Sequence, residues 1–197
     1  MTAGKEEKIQ QAVREKYIEV SRSIAGKFQY LTGKAGAVAL GYDLSLVSDL
    51  PDEIFDTFCG VGNPLTLSPL KGARVLDVGC GAGLDMILSS RLTGQSGRVY
   101  GIDITPQMVA KAQANFVRAG AANACAVVGG SEAIPYYDNT FDIVISNGVL
   151  NLSPAKERSL REIFRVLKPT GRFDFADIVL KEELPVDVRD SLDAWSD

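Results

Sequence analysis

The chain has 197 residues, of which 46% are hydrophobic and 23% charged, with a formal net charge of -4. That balance suits one soluble domain with a sizeable core, or a core plus a helical cap. It excludes a general nucleic-acid surface, because no cluster of Lys and Arg stands out. The complete absence of histidine removes the commonest general base and the commonest zinc ligand, and with them Ser-His-Asp and Cys-His hydrolytic machinery.

No apolar run reaches membrane-spanning length, and the polar start Lys5-Glu6-Glu7-Lys8 does not read as a signal peptide. The three cysteines, Cys59, Cys80 and Cys125, form no CxxC pair. They read as reduced thiols of a cytoplasmic protein, with Cys80 a small turn residue and Cys125 buried in a strand.

Residues 5 to 58 are expected to be helical. Ile9, Val13, Tyr17 and Val20 recur at helical spacing among charges. A further short helix is expected after Pro51, around Ile54, Phe55 and Phe58, and Gly60-Val61-Gly62-Asn63-Pro64 reads as a loop. Strand–helix alternation follows. A strand over 75–78 leads to a helix over 84–92 that stops at Gly94. A strand over 99–102 leads to a helix with Thr105 as cap, Pro106 in its first position and Gly120 as its left-handed stop. Strands follow over 124–128 and 141–146. Ser153-Pro154 repeats the cap-then-proline signal before a helix whose apolar face is Leu160, Ile163, Phe164 and Leu167. Lys168-Pro169-Thr170-Gly171 ends it, and 172–180 reads as a fifth strand.

The fold class is therefore α/β, a Rossmann-like doubly wound parallel sheet of order 3-2-1-4-5 with an N-terminal helical cap. The expected divisions are a cap over 1–70, a core over 71–180 and an acidic tail over 181–197. That tail carries Asp187, Asp190, Asp193 and Asp197 on a solvated helical face. Two further strands are not legible, so the sequence reads as truncated or as a domain completed by another chain.

Ligands of such sheets bind beyond the carboxyl ends of the strands, where the polar and glycine-rich features of this chain gather. Asp77 precedes Gly79, Gly81 and Gly83, and Asp103 ends the second strand. The glycines let main chain approach a ligand, and the helix that follows offers free N–H groups to a carboxylate. Asp77 is placed to organise the loop and to hold an ammonium through water, Asp103 to accept from two ribose hydroxyls. Ile104 and Met108 are candidates to sandwich an adenine, with Ser131 and Glu132 at its edge and Cys80 beside the ligand. The dinucleotide pattern needs a glycine where Leu84 stands, and no phosphate-loop Gly-Lys-Ser/Thr is present. Acid, Gly-x-Gly-x-Gly, acid therefore points to S-adenosylmethionine before a nicotinamide cofactor.

Val-Leu-Asp-Val-Gly-Cys-Gly-Ala-Gly, Gly-Ile-Asp-Ile-Thr-Pro-Gln-Met, Ser-Glu-Ala-Ile-Pro, Phe-Asp-Ile-Val-Ile-Ser-Asn and Arg-Val-Leu-Lys-Pro-Thr-Gly-Arg run in order from Arg74 to Leu180. With these motifs the chain resembles the class I S-adenosylmethionine-dependent methyltransferases. Val13–Tyr17, Gly62-Asn63-Pro64 and the run from Ser146 to Pro154 are most similar to the arsenite methyltransferase branch. In that branch cysteines stand just before Gly-Asn-Pro and after Ser-Asn, where this chain has Val61 and Gly148. The resemblance thus implies a relative that keeps the cofactor site and has changed or lost the acceptor site.

Methyl transfer asks a protein mainly to align the nucleophile and exclude water. Asn147, Asn151 and Tyr17 are the candidates for that work. Asn147 would accept from the cofactor's ammonium through its carbonyl, and Tyr17 and Tyr30 would form a lid wall. Cys59 lies in a loop that follows the two tyrosines in the chain. The fourth strand does not end in Asn/Asp-Pro-Pro-Tyr, no Pro-Cys pair is present, and no acid follows that strand to hold magnesium. A small-molecule methyl acceptor remains, with no nucleic acid, membrane or metal, and with oligomeric state left open. Arsenite methylation, a non-catalytic cofactor-binding or regulatory relative, and an NAD(P)-linked oxidoreductase are the rival readings.

Overall fold

A computed structural model describes residues 3–180; the expected acidic tail lies outside them. Five parallel strands form one sheet: β1 (Arg74–Val78), β2 (Arg98–Asp103), β3 (Ala124–Val128), β4 (Phe141–Asn147) and β5 (Leu167–Ala176). Their order is β3-β2-β1-β4-β5, as expected from the sequence. The buried strands read as near-continuous apolar runs because helices cover both faces. Val75, Leu76, Val78, Val144 and Ile145 have no accessible surface.

The helices are α1 (Ala3–Arg22), α2 (Gly33–Ala39), α3 (Leu84–Thr93), α4 (Pro106–Ala119) and α5 (Lys156–Val166). Between 5 and 58 the chain is less helical than its periodicity suggests. After α2 it runs through short 3-10 turns at Leu44–Val47 and Asp52–Phe55. Pro51 and the Asx turn at Asp43 each terminate a segment before a full helix can nucleate. These turns still bury Val47, Ile54, Phe55 and Phe58 against α3 and the sheet. That explains why α3 has buried residues on all sides, Asp85 among them.

Helix α1 lies across α4. Val20 packs on Ala82 and Met108, joined by Tyr17, Ile24 and Phe28, and Lys111 Nζ donates to the Ser21 carbonyl at 3.0 Å. The cap therefore roofs the carboxyl end of the sheet. No helix of the described residues is long and apolar enough to cross a membrane.

Three expectations change. Strand β5 begins at Leu167 and ends at Ala176, because Lys168–Gly171 enters the ladder as an irregularity between Phe141 and Ile143, with Thr170 at φ 73°. In α5, Ile163 and Val166 are buried, but Phe164 is 82% exposed among the described residues and Leu160 47%. Cys125 is exposed, because β3 is an edge strand that buries only Ala126.

Candidate active site

A cleft enclosing about 800 Å³, including its open mouth, lies at the carboxyl ends of β1, β2 and β4. Gly79, Gly81, Asp103, Ile104 and Met108 line its sheet side. Ser131, Glu132 and Asn147 line its far wall, and Tyr17, Val13 and Cys59 come from the cap. Residues spread over more than 130 positions of sequence therefore meet where parallel-strand topology directs them.

The bend between β1 and α3 is held by Asp103. Its Oδ2 accepts from the Gly81 N–H at 2.9 Å and its Oδ1 from the Thr105 N–H at 2.8 Å. One carboxylate thus fixes both the glycine turn and the start of α4. Burial raises its pKa, and those two N–H groups oppose the rise. At Gly79 the backbone is left-handed, φ 78°, and a Cβ would run into the Val149 side chain. At Gly83 a Cβ would meet the Phe116 ring. The turn therefore admits no side chain at either place, for reasons of both conformation and approach.

Beside the bend lies a second cavity of about 430 Å³, lined by Gly79–Asp85, Gly60 and Asn147. Cys80 and Gly83 line this cavity and not the main cleft. Asp77 lines neither. It is 2% exposed beneath the turn, where burial, then Asp85 and Asp103, raise its pKa well above the usual carboxylate range. Burial likewise raises the Asp85 carboxyl, against hydrogen bonds from Tyr42 and Asn147. Sequence reasoning missed Asp85, although an acid in the first turn of an otherwise apolar, strand-following helix was a usable signal.

Asn147 serves the cap directly. Its Oδ1 accepts from the N–H groups of Val61 at 2.8 Å and Gly62 at 3.1 Å. Its Nδ2 donates to the Gly62 carbonyl, the Tyr42 hydroxyl and Asp85 Oδ2 at 2.9, 2.9 and 3.2 Å. The side-chain carbonyl is thus committed to the loop before β1, which corrects the expectation that it faces an ammonium. Asn151 does not line the cleft. Asp177 Oδ2 accepts from its N–H at 3.1 Å and from that of Leu150 at 2.8 Å, while Val149 and Leu152 on either side do line the cleft.

Tyr17 lines the cleft and is hydrogen-bonded to the Cys59 thiol. Burial, then the charge of Asp103, pushes Cys59 up to about 12, and burial holds the Tyr17 phenol well above its usual range. Both groups are protonated at neutral pH. Tyr30 does not line the cleft; its hydroxyl donates to the Cys59 carbonyl at 3.0 Å. Met108, expected as an adenine wall, both lines the cleft and packs under α1.

On the far wall a hydroxyl chain links three elements. Ser159 Oγ on α5, fully buried, lies 2.8 Å from Ser131 Oγ and 2.9 Å from Ser153 Oγ, and Ser153 donates to Glu132 Oε1 at 2.7 Å. Ser153, expected as a helix cap, lies outside the cap position, because α5 begins at Lys156 with Ala155 as its N-cap residue; Ser153 instead positions the Glu132 carboxylate.

Fold and cleft together define a Rossmann-like protein with an open cleft against a glycine-rich turn at the strand ends. Comparison with known proteins gives the family. Residues 69–196 match the methyltransferase domain family. The arsenite methyltransferase of Halobacterium salinarum is 38% identical over 159 residues, covering 80% of this chain and 40% of that protein. The ubiquinone/menaquinone biosynthesis C-methyltransferase UbiE of Cronobacter sakazakii is 41% identical over 118 residues, 59% of this chain and 45% of that one. Among solved structures, an arsenic(III) S-adenosylmethionine methyltransferase from Chlamydomonas reinhardtii aligns with TM-score 0.67 and 37% identity, over 74% of this chain and 51% of that one. This chain belongs to the methyltransferase domain family, in the arsenite methyltransferase-like branch of the class I S-adenosylmethionine enzymes. It spans less than half the length of the curated relatives it matches.

The residues present fit the family's cofactor, S-adenosylmethionine. The glycine turn is a cradle that a Cβ would fill, Asp103 keeps free lone pairs on both oxygens, and a buried Asp85 oxygen stands without a partner.

Proposed function

We propose that this chain transfers the methyl group of S-adenosylmethionine to a small organic acceptor held between α1 and the tip of β4. The carrying observation is the single cleft that joins Asp103, Gly79 and Gly81 to the cap residues Val13, Tyr17 and Cys59. Bound S-adenosylmethionine supplies a methyl already activated on sulfur, so the protein's own work is orientation and exclusion of water.

In this reading Asp103 accepts from the ribose hydroxyls with the lone pairs that Gly81 and Thr105 leave free. Ile104 and Met108 offer the adenine an apolar wall, and Ser131 and Glu132 its polar edge. Asp77 stabilises the turn from below. Tyr17, kept neutral by burial and with its hydroxyl engaged by the Cys59 thiol, walls the acceptor side and does not act as a base. Asn147 positions the cap loop that closes that side. One thiol, Cys59, lines the main cleft among the described residues. Trivalent arsenic, a soft centre, calls for several convergent thiolates. This favours an organic acceptor over arsenite.

Calorimetric titration with S-adenosylhomocysteine and with NAD tests the cofactor half. Wild type is expected to bind the former and not the latter. Asp103→Asn, which retains one acceptor oxygen, is expected to weaken binding roughly ten- to a hundredfold. Binding of NAD alone, or unchanged affinity in the variant, overturns the reading. Transfer of labelled methyl to a panel of thiols, hydroxyls, amines and arsenite tests the other half, and exclusive labelling of arsenite refutes the organic acceptor.

A further inference from the structure

Asp85 lines the second cavity with a buried carboxyl oxygen that has no hydrogen-bond partner among the described residues. It is 8% exposed. Its Oδ2 accepts from Asn147 Nδ2, and its Oδ1 has neither solvent nor a hydrogen-bond partner. A dry, unpartnered carboxylate oxygen is costly unless a ligand completes it. The cavity that Asp85 lines shares Gly79, Gly81, Thr57, Cys59 and Asn147 with the main cleft, so the two are contiguous.

The surrounding field selects the sign of the ligand. The groups acting on Asp77, Asp85 and Asp103 are one another, the Tyr42 hydroxyl, the Asn147 amide, Thr105 and backbone N–H groups. Three carboxyl groups crowd one five-residue turn, and a cation entering there satisfies the open oxygen and relieves the repulsion among them. No group of three or more His, Cys, Asp or Glu side chains among the described residues is arranged to hold a metal ion. A single hydrogen-bonding ammonium suits one open carboxylate oxygen.

We propose that Asp85 receives the amino group of the cofactor's amino-acid end, which reaches from the main cleft into the second cavity. This rests on the cofactor reading above and adds to it a residue outside the strand-end acids. Asp85 sets the preference for a ligand that carries an ammonium over the bare nucleoside thioether, while Asp103 serves both equally.

The test is calorimetric titration of the full chain with S-adenosylhomocysteine and with 5′-methylthioadenosine, which lacks the amino-acid end. Asp85→Asn preserves shape and an acceptor for Asn147. The variant is expected to lose roughly ten- to a hundredfold in affinity for S-adenosylhomocysteine, the loss of one charge-assisted hydrogen bond. Its affinity for 5′-methylthioadenosine stays within about twofold, because nothing in the nucleoside half touches Asp85. Equal losses for both ligands, or no loss for either, overturn the proposal. As a measurement that needs no substitution, wild type is titrated with desamino-S-adenosylhomocysteine. A comparable weakening is expected, and undiminished affinity refutes an ammonium site. If wild type binds none of the three, the cofactor reading itself has failed and this assignment falls with it.

Discussion

The Asn147 side chain donates to the Tyr42 hydroxyl at 2.9 Å, across 105 residues of sequence. With its bonds to Val61, Gly62 and Asp85, this amide ties the tip of β4 to the cap loop and to α3. Each partner is main chain or buried, so the amide acts as a structural joint at the edge of the cleft. Asn147→Ala is expected to cost about 2–3 kcal/mol, since it strands several buried polar groups at once. Hydrogen exchange checks the mechanism: the amides of Val61 and Gly62 are expected to lose protection well before those of β1.

The buried acids predict an unusual pH response. In the unfolded chain Asp titrates near about 3.9, and in the fold Asp77, Asp85 and Asp103 are all raised. A raised folded pKa means that the folded state binds more protons than the unfolded state above about pH 4. The contribution of these groups is therefore most favourable below that pH and declines as pH rises through the raised range. Asp85→Asn is accordingly expected to match wild type near pH 4 and to exceed it in ligand-free Tm toward pH 8. A stability difference that does not change with pH would show that Asp85 titrates like an exposed acid.

Thiol reactivity should follow exposure and the burial-raised pKa. Cys125 is exposed, Cys80 is buried, and Cys59 is pushed up to about 12. With an aromatic disulfide reagent at pH 8, one thiol is expected to react quickly in the native protein and all three in denaturant. Cys125→Ser should abolish the fast phase.

Gly79→Ala addresses the turn itself. The left-handed backbone costs an L-residue about 1–2 kcal/mol, and the new methyl group collides with Val149 at the cleft wall. The variant is expected to fold with a lowered Tm and to lose at least about tenfold in affinity for S-adenosylhomocysteine. Calorimetry on the folded variant reads this directly, and wild-type affinity would show that ligand does not approach the turn.

Arg165 clamps the segment between β3 and β4. It donates to the carbonyls of Ile134 and Tyr136 at 3.0 and 2.8 Å and pairs with Glu162 and Asp138. Arg165→Met keeps much of the packing and removes those bonds, with an expected loss of about 1–3 kcal/mol. Thermal unfolding in low and high salt separates the contributions, because the carbonyl bonds persist when the exposed Asp138 pair is screened.

The strand order, the glycine turn and the acids at the ends of β1 and β2 were legible in the sequence because each depends on local chemistry. Continuous apolar runs mark buried parallel strands, Thr105-Pro106 and Gly120 punctuate α4, and glycine alone suits the bend after Asp77. Tertiary structure decided the rest. Asn147 looked free to face a ligand until the loop at Val61 and Gly62 folded over it, and the main chain of Asn151 is held by Asp177 from beyond the end of β5. Cys125 proved exposed because its strand has a neighbour on one side only. Asp85 became a candidate ligand only when the cap sealed α3 on its outer face. Residue type and spacing set which groups lie at a strand's end; whether a polar atom there is satisfied depends on segments far away in the chain, and only packing brings those within hydrogen-bond reach.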